Sequence, residues 1–262
     1  MTNILYILLA ILLLGVIVVV HEFGHFLVGR LSGIGVTEFS VGFGPRLLRW
    51  RRGETDYSLR AIPIGGFCKF VGEDEENPAP NAMNNAPVWK RICTVAAGPA
   101  MNFVLAYAAA VEENGETVYQ IGVMFTTRTY TLGEAIPGAG RYMVQTTKNM
   151  LDVLRKLIFK GEGAENMAGT VGTVAVVSEV MRQDSSMALD ILFLLSLNIG
   201  IMNLLPIPAL DGGRLVFLIV EAVRGKPVPP EKEGLVHVIG LIALLALFVV
   251  LTFHDIRTFI LK

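Results

Sequence analysis

Charge is scarce in this chain of 262 residues: Lys, Arg, Asp and Glu make up 17% of it, against about 25% in an ordinary globular domain. The net charge is −1, and no basic helix or aromatic–basic interleaving occurs, which removes nucleic acid from the list of expected partners. Cysteine is nearly absent. Cys68 and Cys93 can build neither a disulfide framework nor a thiolate zinc site, and each reads as a free buried thiol. The first apolar stretch lacks a basic leading region and a small-residue cleavage site, so it reads as a retained segment rather than a removed signal peptide.

What the chain has instead is apolar length. Hydrophobic residues make up 53% of the sequence and the mean hydropathy is +0.56, with the excess concentrated at 4–28, 92–111, 188–210 and 235–253. Each run is long enough to cross about 30 Å of hydrocarbon at about 1.5 Å per residue. Gly98-Pro99 interrupts the second, but proline is tolerated in a membrane helix where neighbours satisfy the freed backbone groups. The expectation is a multi-pass, mainly α membrane protein with four transmembrane helices in a lipid bilayer.

The first run carries His21-Glu22-Phe23-Gly24-His25 at its end. On a helix, HExxH puts two imidazoles one turn apart on one face, the spacing a zinc ion needs, with a carboxylate beside them to handle protons. Ionisable groups carried into or beside lipid are expensive and usually functional. The third run closes on NLLPIPALDGG at 203–213, where two prolines break the helix and a carboxylate, Asp211, follows on a turn. With four spans, the first and third run in the same direction, so Asp211 becomes available at the depth of the two histidines. Read alone, Asp211 would serve equally well as the cap of a helix starting near Arg214.

The connections 29–91 and 211–234 are richer in Lys and Arg than 112–187 and the C-terminal tail. That bias puts them in the cytoplasm and both termini outside it, with HEFGH near the cytoplasmic side. Residues 36–41 and 57–62 alternate loosely, and 62–71 is apolar but holds Pro63, Gly65 and Gly66; together they read as antiparallel strands. Residues 141–160 form an amphipathic helix, lying on the bilayer or packed on the protein. The acidic run 73–76 reads as a solvated linker. His237 and His254 read as satisfied polar residues in or near the fourth span.

Taken together, the segments resemble the site-2 protease family of intramembrane zinc metalloproteases, in its bacterial branch that cleaves anti-sigma factors and remnant signal peptides. The resemblance rests on HEFGH, NLLPIPALDGG, FSVGFG at 39–44, IPIGGFCKF at 62–70, AGPAMNF at 97–103 and the closing helix. It implies that Zn2+ is bound by His21, His25 and Asp211, and that Glu22 is catalytic. It also implies an inner (cell) membrane location, single-pass transmembrane proteins as substrates, and a membrane-associated β-hairpin beside the active site. The alternative for the same residues is a cytoplasmic surface hairpin. Bacterial members usually carry a PDZ domain after the second span, whereas here only residues 112–120 precede 121–123, a segment resembling the strand that follows such a domain. The chain therefore reads as a single metalloprotease domain, 1–262, without a PDZ module.

A substrate helix must extend before it can be cut. Gly65, Gly66 and Phe67 in the hairpin, Pro206 in the broken stretch, and Asn198 and Asn203 in the third span are the candidates to hold it. The two asparagines serve equally well as helix–helix hydrogen-bonding groups. Other functions consistent with these residues are a catalytically silent protein that binds membrane substrates and a metal transporter.

Overall fold

The computed structural model describes residues 2–73, 78–113, 132–163 and 168–260. Its elements run α1 (Thr2–Leu31), β1 (Val36–Arg52), β2 (Thr55–Phe70), α2 (Val88–Glu113), α3 (Leu132–Lys160), α4 (Thr170–Gln183), α5 (Ala188–Leu204), α6 (Asp211–Arg224) and α7 (Pro230–Asp255). Among the described residues, four stretches are long and apolar enough to cross a membrane: Ile4–Leu31, Val88–Ala110, Ser185–Leu204 and Glu231–Thr258. Most of their large side chains outside the helix contacts face outward, as Leu8, Leu12, Val104, Ile242 and Val250 do. In water such a surface would be untenable; lipid covers it without cost.

The third apolar run is helical only to Leu204, short of the expected 210. Hydropathy counts Pro206, Ile207 and Pro208 as compatible with a span, but the prolines cannot continue the hydrogen-bond ladder. α6 then begins at Asp211 rather than near Arg214. The junction at 112–120 where a PDZ domain would be expected runs into 114–131, which with the segment 121–123 lies outside the described residues, as does the acidic run after Glu73.

By contacts the chain forms two compact units. One comprises Met1–Ala10, Phe103–Asn198 and Ala246–Lys262, the other Ile11–Asn102 and Ile199–Leu245. Within the first, the end of α7 holds the start of α4. The fully buried Asp255 carboxylate accepts the backbone N–H of Gly172 at 2.7 Å and of Gly169 at 3.2 Å, which satisfies donors that a helix N-terminus leaves without a partner. We expect Asp255→Ala to cost about 2 kcal/mol or more, because both N–H groups lose their side-chain acceptor. The thermal unfolding midpoint in detergent measures it, and Asp255→Asn, which retains one acceptor oxygen, should lose less. On α3, Tyr142 stacks on Phe193 at 4.8 Å, while Arg141, Lys148 and Arg155 are exposed.

In the second unit, β1 and β2 are longer than their alternation suggested, because the exposed Arg-rich part of β1 up to Arg52 pairs with the start of β2. The first part of β1 pairs on both sides: Phe39 faces Tyr57 on one and Cys68 on the other. Glu38 ties these segments together, accepting from Ser58, Arg60 and Arg46 at 2.7–2.8 Å. Burial disfavours its charge, yet Arg60, Ser58 and Arg46 hold its carboxyl below the usual range. A cluster of Ile34, Val36, Phe70, Met83, Val95 and Leu218 seats the base of the sheet against α2 and α6, each side chain contributing about 1.5–3 kcal/mol of burial where large. Ion pairs from Arg91 to Glu221 and from Arg214 to Glu73 add polar ties between the same parts.

Candidate metal centre

The second unit contains every group of the HExxH and LDGG segments. α1 places His21 and His25, both buried, one turn apart, with their Nε2 atoms 3.2 Å from each other. Asp211 Oδ2 stands 3.0 Å from His21 Nε2 and 3.4 Å from His25 Nε2. Donors about 2.0–2.1 Å from a tetrahedral ion lie about 3.3–3.4 Å apart, so the three atoms match three vertices of a zinc site. Among the described residues this is the one cluster of ligating side chains with such spacing.

Asp211 reaches that position through the break after α5. Ala209 adopts a φ of 72°, a costly conformation for a residue with a Cβ, and its N–H is accepted by His237 Nδ1 at 2.9 Å. Gly213 lets α6 start against the Ile207 carbonyl, where a side chain would collide. His237 is thus a satisfied polar residue, as expected, but one that anchors the turn delivering Asp211. Burial works against the Asp211 charge, while His21 and His25 outweigh it and hold the carboxyl well below the usual range.

α2 backs the histidines. Thr94 O lies 2.9 Å from His25 Nδ1, and the side-chain amide of the fully buried Asn102 lies 3.1 Å from His21 Nδ1. Between them, Gly98 lies against both Nε2 atoms; a Cβ there would stand 2.8 Å from His21 Nε2 and closer still to His25. The glycine that interrupts the second apolar run is the place where that helix admits the imidazoles. Thr94 and Asn102 carry no sequence signal of this contact beyond the place of Asn102 in AGPAMNF, and Gly98 reads from the sequence as an interruption of the span. Gly24 brings the helices this close, meeting Ala97 O and Met101.

Glu22, half-buried, faces β2. The Cys68 backbone N–H is directed at its carboxylate, and a Cβ on Gly66 would stand 3.3 Å from Glu22 Cγ. Burial, then the charges of Glu22 and Glu73, push the Cys68 thiol up, so it stays a protonated bystander. Cys93 is exposed on α2 rather than buried.

The candidate substrate residues divide. Gly66 is beside Glu22. Gly65, with a φ of 101°, and Phe67 pack on the sheet itself: a Cβ on Gly65 would overlap the Phe43 ring, and Phe67 stacks on that ring at 6.4 Å beneath Arg60. Pro206 is exposed. Asn203 Nδ2 donates to Ile199 O of its own helix at 3.0 Å, which is neither a bond between helices nor a contact with the metal cluster. Asn198 is exposed and belongs to the other unit.

The model of peptidase family M50 matches residues 9–247. The chain belongs to that family. It is 30% identical to a Synechocystis protein carrying the name zinc metalloprotease, with 97% of this chain and 95% of that protein covered. It is 28% identical to a Clostridium acetobutylicum protein similarly named, over 95% and 97%. The regulator of sigma-W protease RasP of Bacillus subtilis is 25% identical over 94% and 97%. That last alignment runs to 409 residues against the 262 present here, so the relative carries residues with no counterpart in this chain, in keeping with the absence of a PDZ module. As a family M50 member with these relatives and four long apolar helices, the chain is an integral membrane zinc metalloendopeptidase of the site-2 type.

Proposed function

We propose that this enzyme cleaves transmembrane segments of single-pass membrane proteins, with His21, His25 and Asp211 holding the zinc and Glu22 handling protons. The observation that supports it best is the convergence of three donor atoms at tetrahedral-edge distances, two from the membrane helix α1 and one from the start of α6, with a carboxylate one residue from the first ligand. Bound zinc supplies Lewis acidity, lowering the pKa of water toward neutrality and polarising the scissile carbonyl. Glu22 takes the proton of the attacking water and returns it to the leaving amine. A cavity of about 850 Å³, lined by Glu73, Arg91, Arg214, Glu221 and His237, opens beside Asp211 and offers water a polar approach.

The edge of β2 at Gly66 and Cys68, turned toward Glu22, supports a substrate held as an added strand through main-chain hydrogen bonds. RasP is named for sigma-W regulation; an anti-sigma factor or a remnant signal peptide is the substrate we propose by analogy. The site would work near the cytoplasmic face of the inner (cell) membrane, with both termini outside the cytoplasm.

The test is purified chain carrying one zinc, cutting a library of membrane peptides, silenced by chelation and restored by Zn2+. Asp211→Asn should insert and fold yet lose zinc affinity markedly; wild-type zinc content in that variant would remove Asp211 as a ligand. Orientation is checked separately with single cysteines at Arg51 and Lys148 in a background lacking Cys68 and Cys93. Position 148 should label from outside intact cells and position 51 should not; the reverse pattern overturns the topology.

A further inference from the structure

The contact of α2 with the HExxH turn has a regular form. Thr94, Gly98 and Asn102 follow one another at intervals of four, on one face of α2, and meet in turn His25 Nδ1, the two Nε2 atoms and His21 Nδ1. A histidine that gives its Nε2 lone pair to a metal keeps its proton on Nδ1, and that N–H needs an acceptor to fix the ring and the tautomer. For His25 the acceptor is a main-chain carbonyl, which can only accept. For His21 the neighbour is a side-chain amide, which has a donor end and an acceptor end exchanged by a half-turn about Cβ–Cγ.

We propose that Asn102 is the positioning residue of His21: its Oδ1 accepts the Nδ1–H and so holds the tautomer whose Nε2 binds zinc. The inference rests on the assignment of His21 as a ligand. Asn102 is fully buried between helices, where a polar amide is costly unless it is hydrogen-bonded, and its amide nitrogen lies 3.1 Å from the ring nitrogen concerned. With Thr94 it forms a pair of acceptors that orient both imidazoles from a single helix.

The experiment titrates the full chain in nanodiscs with Zn2+ against a competing chelator. Asn102→Leu, similar in size but without an acceptor, should weaken zinc binding about 10–100-fold. Asn102→Asp keeps an oxygen facing Nδ1 and should bind zinc within about threefold of wild type or more tightly. A purely structural amide predicts the opposite order, since a new carboxylate buried between helices would harm the fold more than leucine. Co2+ in place of zinc gives a second readout: its visible absorption bands should shift in Asn102→Leu and stay in place in Asn102→Asp.

His21→Ala is measured in parallel. If it retains zinc, the ligand assignment fails and the inference with it. If it loses zinc while Asn102→Leu binds at wild-type affinity, the positioning role alone is overturned. Should Asn102→Leu not fold, Asn102→Asp decides: zinc retained supports the role, and zinc lost from a folded protein ends it.

Discussion

Gly98→Ala is expected to weaken zinc binding by about 100-fold or more and to abolish cleavage, although it should raise the helix propensity of α2 by about 1 kcal/mol. The added methyl would overlap His25 Nε2 and Cε1 and approach His21 Nε2 within 2.8 Å, so it meets the two nitrogens that face Asp211. Neither imidazole can retreat freely, because Thr94 O and Asn102 hold the opposite edges of the rings. Nor can α1 move away as a unit while Gly24 lies against Ala97 O and Met101. Overpacking of this kind costs about 1–3 kcal/mol where a core can adjust, and here the adjustment displaces the donors themselves. Zinc content and cleavage are measured together with far-UV circular dichroism. Unchanged helix content with zinc lost is the expected result, and a zinc-replete, active Gly98→Ala would show that the helices pack differently at this point.

The parts of this protein that could be read from sequence are those governed by local rules. Span length and hydropathy are local, and so is the four-residue interval that puts His21 and His25 on one face. Asp211 required only one further step, the parity of four spans. The parts that escaped depend on partners remote in sequence or on main-chain groups. Thr94 acts through its carbonyl, which no side chain announces. Gly98 acts through the lack of a side chain, and beside Pro99 it reads as a flaw in a span. Asp255 holds Gly172 across 83 residues, and His237 accepts from Ala209 across 28. Hydropathy also extended the third run past Leu204, since it scores apolar side chains and is blind to the backbone bonds prolines remove. The Arg-rich end of β1 did not read as strand because neither of its faces is buried. Its pairing comes from the turn at Gly53 and from the ion pair of Arg49 with Asp56 at 2.7 Å.

Glu22→Gln should leave zinc binding intact and lower the cleavage rate by about 10²–10⁴-fold, the usual contribution of a positioned general acid–base group. The substitution is nearly isosteric, so the close fit against Gly66 is kept, and Glu22 is not among the three converging donors. What is lost is the ability to take a proton from water and pass it to the leaving amine. A glutamine can still accept the Cys68 N–H, which now faces the carboxylate, so the edge of β2 should remain in place and substrate should still be held. The variant therefore becomes a trap. A transmembrane substrate should co-purify with it, and a photo-reactive residue at position 69 should crosslink to the uncut substrate more strongly than in the wild type. Zinc lost together with activity would mean that Glu22 supports the ligands rather than the proton transfer. Activity retained near the wild-type level would remove Glu22 from the chemistry altogether.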